Sequence, residues 1–305
     1  MKKNHNPLVN RPKLVVIVGP TASGKTALSL KLAKKFHGEI ISADSRAIYK
    51  KLDIGSAKPT VVERKNVPHH LIDLVQPDQI LTLAQYKEWA TKKIENIASR
   101  NHLPFLVGGT ALYVYAVIDN WQIPEVPPNK KLRAKLEKQP VEKLYQQLLK
   151  KDAATKSFID PQNKRRIIRA LEVMAATGQP FSAQRKKGPL LFETLMIGVK
   201  RTTAEIKQLI ARRTKKMIKA GLVKEVAKLL KKGYSPTLPA LSGIHYKEII
   251  TYLQKKVTLP EAIKLINQND EQLVRRQLTW FKKDQRIKWV TNSNQATNLV
   301  KKFLQ

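Results

Sequence analysis

The octet Gly19, Pro20, Thr21, Ala22, Ser23, Gly24, Lys25 and Thr26 holds the residues best suited to chemistry in this chain. A loop of this spacing turns successive backbone N–H groups toward one point, and the helix that follows adds the positive end of its dipole. An anionic phosphate is the group such a cradle fits. Lys25 would add a point charge, and the Thr26 hydroxyl can ligate magnesium. The octet lies between an apolar run at residues 13–18 and a helical-looking stretch at 27–36, the strand, loop and helix order that the motif requires. A phosphorylated ligand is therefore expected.

Other residues could join it. Asp44 closes a second short strand at 39–43 and is followed by Ser45 and Arg46. There it could act as a general base, as an outer partner of magnesium, or as a plain helix cap. Thr110 follows Gly108 and Gly109 and could bond a ligand or cap the helix at 111–118. The adjacent His69 and His70 point opposite ways on a strand, so one packed and one capping histidine is expected rather than a metal site. Arg165 and Arg169 share a helical face at i,i+4 beside Arg166, which suits phosphate contacts or a solvated face. Arg275, Arg276 and Gln277 precede Trp280 and Phe281, a basic and aromatic mixture suited to RNA backbone and base stacking, unless Trp280 is core.

The elements that must position these groups alternate. Strand-like runs at 13–18, 39–43, 104–107 and 193–199 are separated by helical periodicity, as at 82–100, where Leu83, Tyr86, Ala90, Ile94 and Ile97 share a face. That order predicts an α/β fold with a doubly wound parallel sheet. Ligands bind beyond the carboxyl ends of such strands, so residues 19–26, Asp44 and Thr110 should share one cleft. Residues 1–120 read as the first part of the core. Residues 121–190, bordered by prolines, read as an all-helical insertion, and 191–305 as the completion of the core with a basic helical C-terminal part. In that last part Ile206, Leu209, Ile210, Met217 and Ile218 form an apolar stripe opposite Arg212, Lys215, Lys216 and Lys219.

Composition narrows the partners. A net charge of +35 over 305 residues implies a polyanion, with nucleic acid first in line. The absence of cysteine excludes disulfides and thiolate metal sites and fits the cytoplasm. No apolar run approaches the ~20 residues of a membrane span, and the basic start at residues 1–7 is not followed by a signal-peptide core.

Taken together, the motifs resemble those of the tRNA dimethylallyltransferases (tRNA isopentenyltransferases). The matching segments are GPTASGKT at 19–26, ISADSRAIY at 41–49, DIGSAKP at 53–59, VPHHLID at 67–73 and LVGGTALY at 106–113. RALEV at 169–173, TGQPFS at 177–182, the pattern from Met217 through Gly221, Leu222 and Val223 to Glu225 and Val226, and RQLTWF at 276–281 follow in the family's order. The resemblance implies a P-loop NTPase-like parallel sheet flanked by helices. It also implies transfer of a dimethylallyl group from dimethylallyl diphosphate to the exocyclic amine of the adenosine 3′ of the anticodon.

On that resemblance residues 19–26 would hold the donor diphosphate with Mg2+ at Thr26. Asp44 would take the amine proton, while Thr26 and Arg213 stabilise the departing pyrophosphate. The tRNA anticodon stem-loop would be met by Asp44, Ser45, Arg46, Ala47, Thr110, Arg165, Arg166, Arg169, His245, Tyr246, Lys247, Arg275, Arg276 and Gln277, with the adenosine drawn out of its stack. A monomer is expected. The chain departs from the family's pattern at Ala47, where the family carries Gln, and at His245, where it carries Gly. It departs again from Asp270 to Gln277, where the family has Thr-Arg-x-Tyr-Ala-Lys-Arg-Gln; Asp270 and Glu271 thus reverse the polarity expected of an RNA-facing surface. The runner-up reading is a small-molecule kinase using ATP in the same loop, and the third a tRNA-binding relative that no longer catalyses.

Overall fold

The structure, a computed structural model, describes residues 11–305; the basic start at 1–7 lies outside the described residues. Eight strands are present among them: β1 Lys13–Val18, β2 Gly38–Ser42, β3 His69–His70, β4 Leu103–Gly108, β5 Trp121–Gln122, β6 Lys186–Lys187, β7 Glu193–Val199 and β8 Ile287–Val290. Six of them form one sheet in the order β3-β2-β4-β1-β7-β8, and every neighbouring pair in it is parallel. β1 sits between β4 and β7, and its Leu14, Val15, Val16, Ile17 and Val18 are fully buried, as a strand covered on both faces requires.

The helices expected from periodicity form where the apolar stripes dictate. Leu83–Ser99 buries Tyr86, Ala90, Ile94 and Ile97, and Thr203–Lys219 buries Ile206, Ile210, Thr214 and Met217. Arg212, Lys215, Lys216 and Lys219 are left in solvent. Leu259–Phe281 forms a single helix of 23 residues. The short edge strands β3 and β8 had no periodic signal strong enough to define them.

Two compact units divide the chain: one runs to Ile118 and resumes at Leu191, and the other is Asp119–Leu190. The smaller unit has its own core around Leu144, Leu148, Ile167 and Leu171. This corrects the expectation of an all-helical insertion: besides its helices it carries one antiparallel pair, Trp121 with Lys187 and Gln122 with Lys186, too short for periodicity to register.

The carboxyl ends of the strands are drawn close together. Ala43 N–H donates to Val107 O at 2.7 Å, and Thr110 N–H to Ala43 O at 3.2 Å. Gly108 stands against the Ala43 backbone where any Cβ would collide, so only glycine lets β2 and β4 converge there.

Candidate active site

The loop after β1 is shaped by two left-handed residues, Ala22 at φ 61° and Gly24 at φ 95°, which turn the chain into the helix Lys25–Lys35. That helix begins with no side-chain cap and no acidic residue in its first turn. By contrast Thr60, Thr82, Thr202 and Thr258 each close a capping box on a helix of the same unit. The first N–H groups of the helix after the loop are therefore left for an anion.

Lys25 Nζ meanwhile donates to Pro20 O at 2.6 Å. Desolvation pushes its ammonium down to about 8, with Asp44 opposing the shift and Arg213 adding to it. Those two charges thus act on one lysine. Thr26 is exposed at the head of the helix, and Ser23 Oγ is buried without a hydrogen-bond partner.

Asp44 fills the capping role among those open to it. Its Oδ1 accepts from Arg46 N at 2.7 Å and Ala47 N at 3.4 Å, capping the turn that follows β2. The residue is half-buried, and both of these bonds go to Oδ1. Thr110 acts within the same turn: its hydroxyl oxygen accepts from Ser45 N at 3.1 Å. Arg46 reaches away to the carbonyls of Pro239 and Ala240, and Ala47 is buried.

Arg213 comes from helix Thr203–Lys219 to the other side of the loop. Its Nη1 donates to Thr21 Oγ1 at 3.2 Å, and its Nη2 to Asp270 Oδ2 at 2.7 Å. Asp270 is 0% exposed. Burial pushes its carboxyl up, but the His245 hydrogen bond and the Arg213 charge outweigh that and lower it. This corrects the expectation of Asp270 at an RNA-facing surface: the aspartate points inward, where Arg213 and the His245 ring compensate its burial.

Gln277 is likewise turned inward. Its Oε1 accepts from Thr21 N at 2.7 Å and its Nε2 donates to Gly109 O at 3.0 Å, tying the loop after β1 to the one after β4. Tyr246 is fully buried, with its hydroxyl on Glu225 at 2.8 Å. Expected at the tRNA, it is here part of the core, since its neighbours leave it no surface. His245 is 6% exposed, whereas Lys247, Arg275 and Arg276 are in solvent.

In the smaller unit Arg165 and Arg166 are exposed, while Arg169 pairs with the buried Glu172 at 2.6 Å. His69 and His70 take separate partners, Val67 O and Glu39. Trp280 is 39% exposed and stacks 5.9 Å from Tyr115, and Phe281 is core.

Several quoted motifs prove to be framework. Glu225 accepts from the N–H groups of Asp53, Ile54 and Gly55. Lys58, buried, bridges Asp53 at 2.9 Å and Asp73 at 2.6 Å. Sequence reasoning missed the inward role of Asp270 and the clamp made by Gln277. Nothing in spacing links positions 213 and 270, or 21 and 277, so no sequence signal could have paired them.

A parallel sheet with Lys25, Asp44 and Arg213 near the loop after β1 is an arrangement suited to a transferase. The chain belongs to the IPP transferase family, whose model matches residues 47–284, a stretch that begins just past Asp44. It is 48% identical over 274 residues to a tRNA dimethylallyltransferase of Roseiflexus sp. (strain RS-1), covering 88% of this chain and 90% of that one. A full-length tRNA isopentenylpyrophosphate transferase from Bacillus halodurans has a similar structure, at TM-score 0.72 and 37% identity over 96% of both chains. So does a eukaryotic dimethylallyltransferase described as acting on tRNA, at TM-score 0.79 and 26% identity, over 96% of this chain and 77% of that one.

Proposed function

We propose that this chain transfers a dimethylallyl group from dimethylallyl diphosphate to the exocyclic amine of the adenosine 3′ of the anticodon in tRNA. The observation that carries the reading is that Lys25 and Arg213 are both bonded within the loop after β1, while Asp44 caps the adjoining turn after β2 at the same strand ends. In this reading the uncapped helix start and Lys25 receive the donor's diphosphate. The amine nitrogen forms a bond to the allylic carbon as that carbon's bond to the diphosphate oxygen breaks. Asp44 Oδ2 takes the amine proton, and Arg213 meets the charge growing on the pyrophosphate.

Magnesium fits this site. The ion keeps several waters and takes most other ligands from phosphate, so one protein hydroxyl suffices. Thr26 would supply it, and among the described residues no cluster of three acidic or histidine side chains offers a separate metal cage. When bound, the ion would neutralise charge on the diphosphate. The +35 net charge supports the tRNA partner, and the solvent-facing Arg165, Arg166, Lys247, Arg275 and Arg276 are the side chains available to its phosphates. No helix among the described residues is long and apolar enough to cross a membrane; a cytoplasmic monomer completes the reading.

The test incubates purified protein with magnesium, dimethylallyl diphosphate and unmodified tRNA bearing adenosine beside its anticodon, and reads the nucleosides by mass spectrometry. A prenylated adenosine that disappears with Asp44→Ala is expected. Tight tRNA binding without product would return the non-catalytic reading, and no tRNA binding would return the kinase.

A further inference from the structure

Two positions that depart from the family's pattern, His245 and Asp270, meet in space. His245 Nε2 lies 3.1 Å from Asp270 Oδ2, the oxygen that also accepts from Arg213 Nη2 at 2.7 Å. The other ring nitrogen, Nδ1, is 2.8 Å from Gly55 O, so both nitrogens of this buried ring face acceptors. His245 adopts φ 80°, a left-handed backbone that strains a side-chain-bearing residue and suits the family's glycine. A histidine persists in such a conformation only where its contacts outweigh the strain. Here they are the Gly55 carbonyl, Asp270 and the Glu248 carboxylate that accepts its N–H at 2.8 Å.

The reciprocal dependence is as direct. Asp270 Oδ1 and Arg213 Nε are buried without partners, so the bonds to His245 and Arg213 are the ones that compensate this carboxylate's burial. Without His245 the carboxylate has only Arg213 to compensate its burial. It is then free to turn both oxygens onto the guanidinium and draw it from Thr21. Without Asp270, Arg213 Nη2 keeps only its long 3.4 Å contact with His245 Nε2, and the arginine loses its charged anchor.

We infer that His245 and Asp270 are a matched pair of positioning residues that hold Arg213 against the phosphate loop, each tolerable only with the other. The inference rests on the reading of Arg213 as the cation that meets pyrophosphate.

Five proteins test it: native, His245→Gly, Asp270→Thr, the double variant bearing both family residues, and Arg213→Ala. For each, binding of inorganic pyrophosphate with magnesium is measured by calorimetry, kcat and KM by product formation, and Tm by calorimetric melting. Each single variant should weaken pyrophosphate binding and lower kcat by about 10- to 100-fold, the loss that a displacement near 1 Å produces. The tRNA KM should hold. The double variant should recover to within about threefold of native, the signature of coupled neighbours.

Losses that multiply in the double variant would overturn the pairing, as would single variants that lower only Tm. Should Arg213→Ala bind pyrophosphate as native does, the reading of Arg213 falls and the inference falls with it. Should Arg213→Ala weaken binding while the single variants do not, only the inference falls. If Asp270→Thr fails to fold, Asp270→Asn keeps the shape without the charge and must show the same loss.

Discussion

Glu39 and Asp270 are both buried carboxylates served by one arginine and by histidine. Glu39 lies near the amino end of β2, and Asp270 beside the loop that leaves the carboxyl end of β1. Glu39 is saturated: Arg100 reaches both its oxygens at 2.6 and 3.0 Å, His70 Nε2 lies at 2.6 Å and His102 Nδ1 at 2.7 Å. Those bonds, Arg100's foremost, hold its carboxyl down to about 2 against the opposing effect of burial. Around Asp270 one carboxylate oxygen and the Arg213 Nε lack partners, and the arginine's remaining arm ends on the phosphate loop. A closed network rigidifies a fold, whereas one left open beside an anion cradle is poised for a ligand. The same chemistry therefore forms a closed staple at one end of the sheet and an open network, beside the proposed site, at the other.

The contrast can be broken at either end. The largest effect on turnover should come from Asp44→Ala: loss of a positioned base lowers kcat by about 10²–10⁴-fold, read as prenylated adenosine per minute, with circular dichroism unchanged. Arg213→Ala should follow at about 10²–10³-fold in kcat, the scale of losing one donor to developing negative charge. Stopped or single-turnover assays would place that loss in the chemical step. Gln277→Ala unties Thr21 from Gly109 while leaving the charges in place. About a tenfold rise in donor KM is expected, since positioning is loosened rather than removed, and donor titrations at saturating tRNA would measure it.

Glu39→Gln should leave turnover per folded molecule unchanged and cost about 2 kcal/mol of stability, the scale of hydrogen bonds to a charged group. Arg100 and His102 are half exposed and can rehydrate, which limits the loss. The folded-state value near 2 lies below the ordinary 4.5, so the unfolded chain binds the extra proton between them. Urea midpoints of native and Glu39→Gln protein should thus differ most above pH 4.5 and converge as pH falls toward 2. A Glu39 variant as damaging to turnover as Arg213→Ala would erase the distinction between the two ends.

Much of the fold was legible along the chain. The strands at 13–18, 103–108 and 193–199 and the helix at 83–99 show apolar runs or stripes long enough to outweigh local alternatives. β3 spans two residues and β8 four, too short for periodicity to register. The phosphate loop was legible because its function depends on consecutive backbone groups, and therefore on consecutive residue types. Tyr246 and Asp270 were placed toward the tRNA on the family resemblance, and only their neighbours in the fold show that both face inward.

What the amino-acid sequence by itself determined is everything carried by local spacing: the cradle at residues 19–26, the parallel α/β order, the basic excess and the family motifs. Tertiary structure alone decided that Asp270 lies inside against Arg213 and His245, that Gln277 clamps Thr21 to Gly109, and that Glu39 is closed while Asp270 is left open. The physical reason is separation. These partners stand tens to hundreds of residues apart, and which buried charge finds which is settled only when packing brings the carboxyl ends of the strands together.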